Sequence, residues 1–107
     1  MDTRAKIVET LPQVDGKVVV GYFDPMHAGH ARRLRELANG GSIAVIVADP
    51  AEPILPARAR AELVASLDCV SHVVIGGSYD GAIDEREADS RRAREFAQHV
   101  LARHNRK

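Results

Sequence analysis

Residues 21–30 read GYFDPMHAGH. Upstream, KVVVGYF over 17–23 is a β-branched and aromatic run, apolar through its middle, the pattern of a strand covered on both faces. Downstream, HARRLRELAN over 30–39 has helical spacing, with Leu34, Leu37 and Ala38 on one side and Arg32, Arg33 and Arg35 largely on the other. Asn39-Gly40-Gly41 stops that helix, because glycine accepts the left-handed cap conformation. The quoted stretch is therefore a strand-to-helix junction, and it carries two histidines and an Asp-Pro step.

The same alternation continues outward. SIAVIVA over 42–48 is a second buried strand, and DPAEPILP over 49–56, with three prolines, is a loop. ARARAELVASLD over 57–68 is a second helix with Ala61, Val64 and Leu67 inward. HVVIGG over 72–77 is a third strand and SYDGAIDE over 78–85 a loop. Residues 86–104 form a long charged helix with Ala93, Phe96, Ala97, Val100 and Leu101 as its apolar stripe. Before the junction, residues 3–13 read as a short helix with Ile7, Val8 and Leu11 as its stripe, and VDG over 14–16 as a turn. There is no repeat or linker, so residues 1–107 are expected to form a single domain. Strand, helix, strand, helix, strand predicts an α/β fold, a Rossmann-like α/β/α arrangement of three layers around a small parallel sheet. Right-handed crossovers put the first strand near the middle. Open sheets of this kind bind ligands beyond the carboxyl ends of their strands, where the quoted stretch lies.

Composition narrows the function. Hydrophobic residues are 45% and charged residues 28%, ordinary for a globular chain. The formal net charge of zero gives no support for a nucleic-acid or membrane-surface partner. No apolar run approaches the roughly 20 residues of a membrane span, and MDTRAKIVETLPQV does not have the pattern of a secretory signal. Cys69 is a single cysteine among Leu67, Val70 and Val73, which predicts packing and a reducing, cytoplasmic setting. Lysine occurs only at positions 6, 17 and 107, so cationic binding falls mostly to arginine.

The residues of the junction suit an anion. Gly21 lets a ligand approach the backbone as it leaves the strand. Asp24-Pro25 breaks the strand, and a helix starting near His27 or Ala28 leaves unsatisfied N–H groups in its first turn, where the dipole favours phosphate. Gly29 gives space in that turn. His27 and His30, at i and i+3, project from the same side and can donate to developing negative charge. That suits phosphoryl or nucleotidyl transfer, which depends on positioning and charge stabilisation. Asp24 could equally serve as a helix cap. Zinc would need a third ligand, and none is evident, so no metal ligand is assigned. The stretch is neither a Walker loop nor the dinucleotide fingerprint.

The run G-x-F-D-x-x-H-x-G-H followed by x-x-x-L resembles the signature of the cytidylyltransferase-like nucleotidyltransferase superfamily. It is similar to the glycerol-3-phosphate cytidylyltransferases and the heptose-1-phosphate adenylyltransferases. EPILPARARAELVASLDCVSHVV resembles a second family stretch, in which a proline precedes an arginine by seven positions, as Pro53 and Arg60 do; Ser71 and His72 stand where an aspartate and an aromatic are usual. The lead-in KIVETLPQVDGKVVV is similar to that of the heptose-type enzymes, and the resemblance covers about residues 5–76.

The resemblance implies a Rossmann-like layer that binds a nucleoside triphosphate. His27 and His30 would contact the triphosphate. The backbone N–H groups of Tyr22 and Phe23 would line the α-phosphate beside Gly21 and Gly29. Asp24 would shape the loop, and Arg60 would contact a phosphate or fix the loop that does. A sugar- or polyol-phosphate would attack the α-phosphorus, pyrophosphate would leave, and magnesium would ride on the nucleotide. The base, ATP or CTP, stays open, as does the acceptor. The chain also departs from the family pattern: 49–56 is short and lysine-free, and nothing after residue 77 matches a late serine/threonine-rich segment. Ser78, Arg86, Arg91 and Arg92 are alternative phosphate contacts or simply a solvated surface. Those departures support a second reading, a non-catalytic relative that binds a nucleotide, a phosphate ligand or a protein partner. Phe96, Val100 and Leu101 would pack against the sheet or against a second copy in a homodimer.

Overall fold

The computed structural model describes residues 2–14 and 16–88. Its elements are β1 (Val18–Gly21), α1 (Ala28–Ala38), β2 (Ile43–Val47), α2 (Ala57–Ala65), β3 (Val70–Ile75) and β4 (Ile83–Asp84), preceded by a 3-10 turn at Thr3–Lys6. The strands form one sheet in the order β3-β2-β1-β4, and every pairing is parallel. The sheet is Rossmann-like, and the first strand is interior, as the crossover rule predicts. The chain runs outward from β1 through β2 to β3, then returns to the far side of β1, so β1 is where the strand order reverses.

β2 shows why these runs become strands. All five of its residues are at most 2% exposed, with Ile43, Val45 and Val47 facing one side and Ala44 and Ile46 the other. Branched side chains pack on both faces of a pleated strand, and each fully buried aliphatic contributes about 1.5–3 kcal/mol. Leu34 and Leu37 of α1 join Ala61, Val64 and Ala65 of α2 in the cluster on the first face, against Val19, Val45 and Val73. Both helices therefore cover the same side. On the opposite face Val18, Ala44 and Ile46 pack with Leu11, Val14, Val20 and Ala82. The helix expected over 86–104 lies, beyond Ala88, outside the described residues, and with it Phe96, Val100, Leu101 and the arginines at 91 and 92.

Three expectations are corrected. Residues 3–13 are not a helix: after one 3-10 turn, Ile7 bridges Val73 in parallel and the Val8 N–H donates to the Val73 carbonyl at 2.8 Å. The segment thus runs extended beside β3 and meets its outer edge at Val73. Residues 78–85 are not all loop, because Ile83–Asp84 form β4 beside β1. The edges also shift: β3 starts at Val70, not 72, and α2 ends at Ala65, not 68. Cys69 is partly buried against the core. No helix among the described residues is long and apolar enough to cross a membrane.

Candidate active site

β1 ends at Gly21, and the next residues turn sharply. Tyr22 continues from the strand, Phe23 takes a left-handed backbone with φ 51°, and the Asp24–Pro25 peptide is cis. α1 then begins at Ala28 with His27 as its N-cap. Histidine replaces the usual serine, threonine or aspartate at this position. The Gly29 N–H donates to His27 Nδ1 at 3.1 Å, and the His27 N–H donates to His30 Nδ1 at 3.2 Å. Each imidazole therefore satisfies a backbone donor of the first turn, in the reciprocal manner of a capping box. In a neutral ring whose Nδ1 accepts, the proton sits on Nε2, which is the donor.

The two rings are brought together, their centroids 4.0 Å apart and inclined by 50°. His30 is 2% exposed, and the ring of Phe23 meets it edge-on at 5.6 Å. Gly29 has a direct role in this geometry. A Cβ there would lie 2.9 Å from His27 Cε1 and 3.1 Å from Nδ1. Gly29→Ala is therefore expected to swing the His27 ring off its cap, with under ~1 kcal/mol lost in stability. Urea unfolding beside the His27 ring signals in NMR checks this; ring signals unchanged from wild type would show that the His27 position does not depend on Gly29.

Asp24 does not cap the helix. Its carboxylate accepts from the Ile54 N–H at 2.6 Å and the Leu55 N–H at 2.8 Å, tying the β1–α1 loop to the β2–α2 loop. Arg60 works from the other side. It is 0% exposed; its Nε donates to the Leu55 carbonyl at 3.0 Å, and its Nη1 to the carbonyls of Tyr22 at 3.1 Å and Ala48 at 2.7 Å. Its Nη2 pairs with Asp49. Of the two roles carried by the resemblance, this geometry is that of a loop brace, with the guanidinium out of contact with solvent.

The same end of the sheet holds a cavity of about 180 Å³, lined by Val20, Ile46, Ser78, Tyr79, Asp84 and Arg86 among others. Ile46, Val20 and Asp84 are register partners across β2, β1 and β4, so they form one row across its floor. Arg86 donates to Asp84 through Nε at 2.9 Å and Nη2 at 2.7 Å, and this holds the Asp84 carboxyl down at about 2. Glu85, which is buried, accepts from Arg33 Nε at 2.8 Å and so fastens β4 to α1. Tyr79, Asp84 and Glu85 were not singled out from the sequence, because a two-residue strand has no periodicity to read. Among the described residues, no group of three or more His, Cys, Asp and Glu side chains is arranged to hold a metal ion.

Comparison with known proteins matches these same elements. The bifunctional protein HldE of Helicobacter pylori strain J99 is 36% identical over 84 residues, covering 67% of this chain and 18% of that protein. The FAD synthase of Halorhabdus utahensis is 42% identical over 72 residues, 59% of this chain and 49% of that protein. The FAD synthase of Halalkalicoccus jeotgali is 34% identical over 76 residues, 64% of this chain and 54% of that protein. The chain thus spans about half the length of the FAD synthases and less than a fifth of the bifunctional protein. The profile of the family described as Cytidylyltransferase-like matches residues 18–104, from the first residue of β1 onward. A match that begins with the strand leading into the histidine corner and takes in the whole parallel sheet leaves one conclusion: the chain belongs to the cytidylyltransferase-like family.

Proposed function

We propose that the chain is a nucleotidyltransferase that moves a nucleoside monophosphate from ATP or CTP to a phosphorylated small molecule and releases pyrophosphate. The observation that carries this is the pair of imidazoles, 4.0 Å apart at the N-terminus of α1, the end of the helix where the dipole favours an anion. An acceptor phosphate oxygen attacks the α-phosphorus, the bond from that phosphorus to the bridging oxygen breaks, and the electron pair leaves with pyrophosphate. His27 and His30 donate hydrogen bonds to the charge that builds on the phosphoryl oxygens. Gly21, Tyr22 and Phe23 present backbone to the α-phosphate. The cavity beside Tyr79 takes the base or the acceptor. Magnesium is proposed to ride on the nucleotide phosphates, as it does where the protein supplies no full oxygen cage. A cytoplasmic setting, where nucleoside triphosphates are available, completes the reading.

The test is pyrophosphate release from magnesium and each labelled nucleoside triphosphate with a panel of acceptors: sugar phosphates, polyol phosphates and, because relatives bear the name FAD synthase, a phosphorylated flavin. Release with at least one pair is the expected result. Nucleotide binding without release across the panel would replace transferase with the binding-only reading, which the lysine-free 49–56 loop favours.

A further inference from the structure

Arg60 is a permanently charged side chain with no exposure, on a helix whose other inward residues are Ala61, Val64 and Ala65. Apolar packing alone would not select it, since burying a guanidinium is costly unless its donors are matched. The donors are matched chiefly by backbone: three go to the carbonyls of Leu55, Tyr22 and Ala48, and the carboxylate partner, Asp49, has a side chain 65% exposed. The Tyr22 carbonyl is the informative one. In a planar trans peptide the carbonyl and the following N–H point in opposite directions. A guanidinium that holds the Tyr22 carbonyl on its own, buried side therefore turns the Phe23 N–H to the opposite side of that peptide. Phe23 is also held in the left-handed region at φ 51°, where a residue with a side chain is strained, and its buried ring rests on His30.

We propose that Arg60 is a positioning residue for phosphate binding: it orients the Tyr22–Phe23 peptide so that the Phe23 N–H is a fixed anion donor, and through the Phe23 ring it sets His30. This rests on the proposed phosphate-binding reading of the corner and assigns the arginine a task that needs no contact with the ligand. Lysine cannot replace it, because one ammonium does not reproduce a planar fork that spans three carbonyls.

The test is a titration of the ¹⁵N-labelled full chain with inorganic pyrophosphate and with magnesium-ATP, followed by amide and histidine-ring signals. In the wild-type chain the Phe23 amide is expected among the largest shifts on saturation. In Arg60→Lys, pyrophosphate Kd is expected to rise roughly tenfold, the Phe23 response to collapse, and the His27 and His30 ring responses to persist. Binding that saturates without moving the Phe23 amide overturns the proposal and leaves the phosphate-binding reading standing. Wild-type Kd in Arg60→Lys overturns it too, as does a variant that loses only melting temperature. If neither probe binds the wild-type chain, both readings fall. Should Arg60→Lys not fold, Arg60→Gln is titrated in its place, with the same expected and overturning results.

Discussion

Replacing His30 by alanine is expected to lower pyrophosphate release by roughly 10²–10³-fold while the domain stays folded. The ring is 2% exposed, so its removal is not a surface change. Three things go together. The Nε2 donor proposed to face the phosphoryl oxygens is lost. The His27 N–H, which donates to His30 Nδ1 at 3.2 Å, loses its acceptor. The Phe23 ring loses the partner it meets edge-on at 5.6 Å. The second and third effects concern stability, and cap loss of this kind costs about 1 kcal/mol. The other half of the cap, from the Gly29 N–H to His27, survives, so α1 still starts at the same place. Steady-state release measured beside circular dichroism separates the terms. A His30→Ala protein that keeps wild-type turnover would remove His30 from the reacting site.

Phe23→Ala is expected to have the largest effect on stability, about 3–5 kcal/mol. The ring is 1% exposed and belongs to the main core cluster, although its residue lies in the turn after β1 and not in the strand. Alanine leaves a cavity and gains nothing in return, since a Cβ at φ 51° is strained for alanine as well. For a domain of this size the melting temperature should fall by more than about 10 °C. Thermal unfolding read by circular dichroism checks the value. A loss below about 1 kcal/mol would mean that the ring is not a core element and that His30 is supported by something else.

Much of this fold was legible from residue type alone. The valine and isoleucine runs of β1 and β2 are buried on both faces, and such runs have few other uses. The helix start at His27 and the stop at Asn39 were readable because caps are local events. Ile7, Val8 and Leu11 misled because three apolar positions suit a helix stripe or an extended segment equally, and the choice was made by Val73, 66 positions away. β4 was invisible because two residues carry no period; parallel pairing with β1 defines it. In the site, the two histidines and their glycine could be read as a unit, being neighbours on one turn. The partners of Asp24 and Arg60 could not. They are backbone N–H and carbonyl groups of another loop, and no side-chain pattern encodes which backbone groups will meet.

That cross-bracing has a consequence for how the domain behaves as a whole. The Asp24 carboxylate reaches 31 positions along the chain to Leu55, and Arg60 reaches back 38 to Tyr22. The corner is therefore complete only while β2 and the loop beyond it are docked against it, and it is dismantled when they leave. An anion that recognises the finished corner has no counterpart in the unfolded chain. By mass action its binding adds directly to the folding equilibrium, about 2.7 kcal/mol at a hundredfold excess over Kd. A ligand of the kind proposed would thus act as a structural partner as well as a reactant, and the occupied chain would resist unfolding more than the empty one.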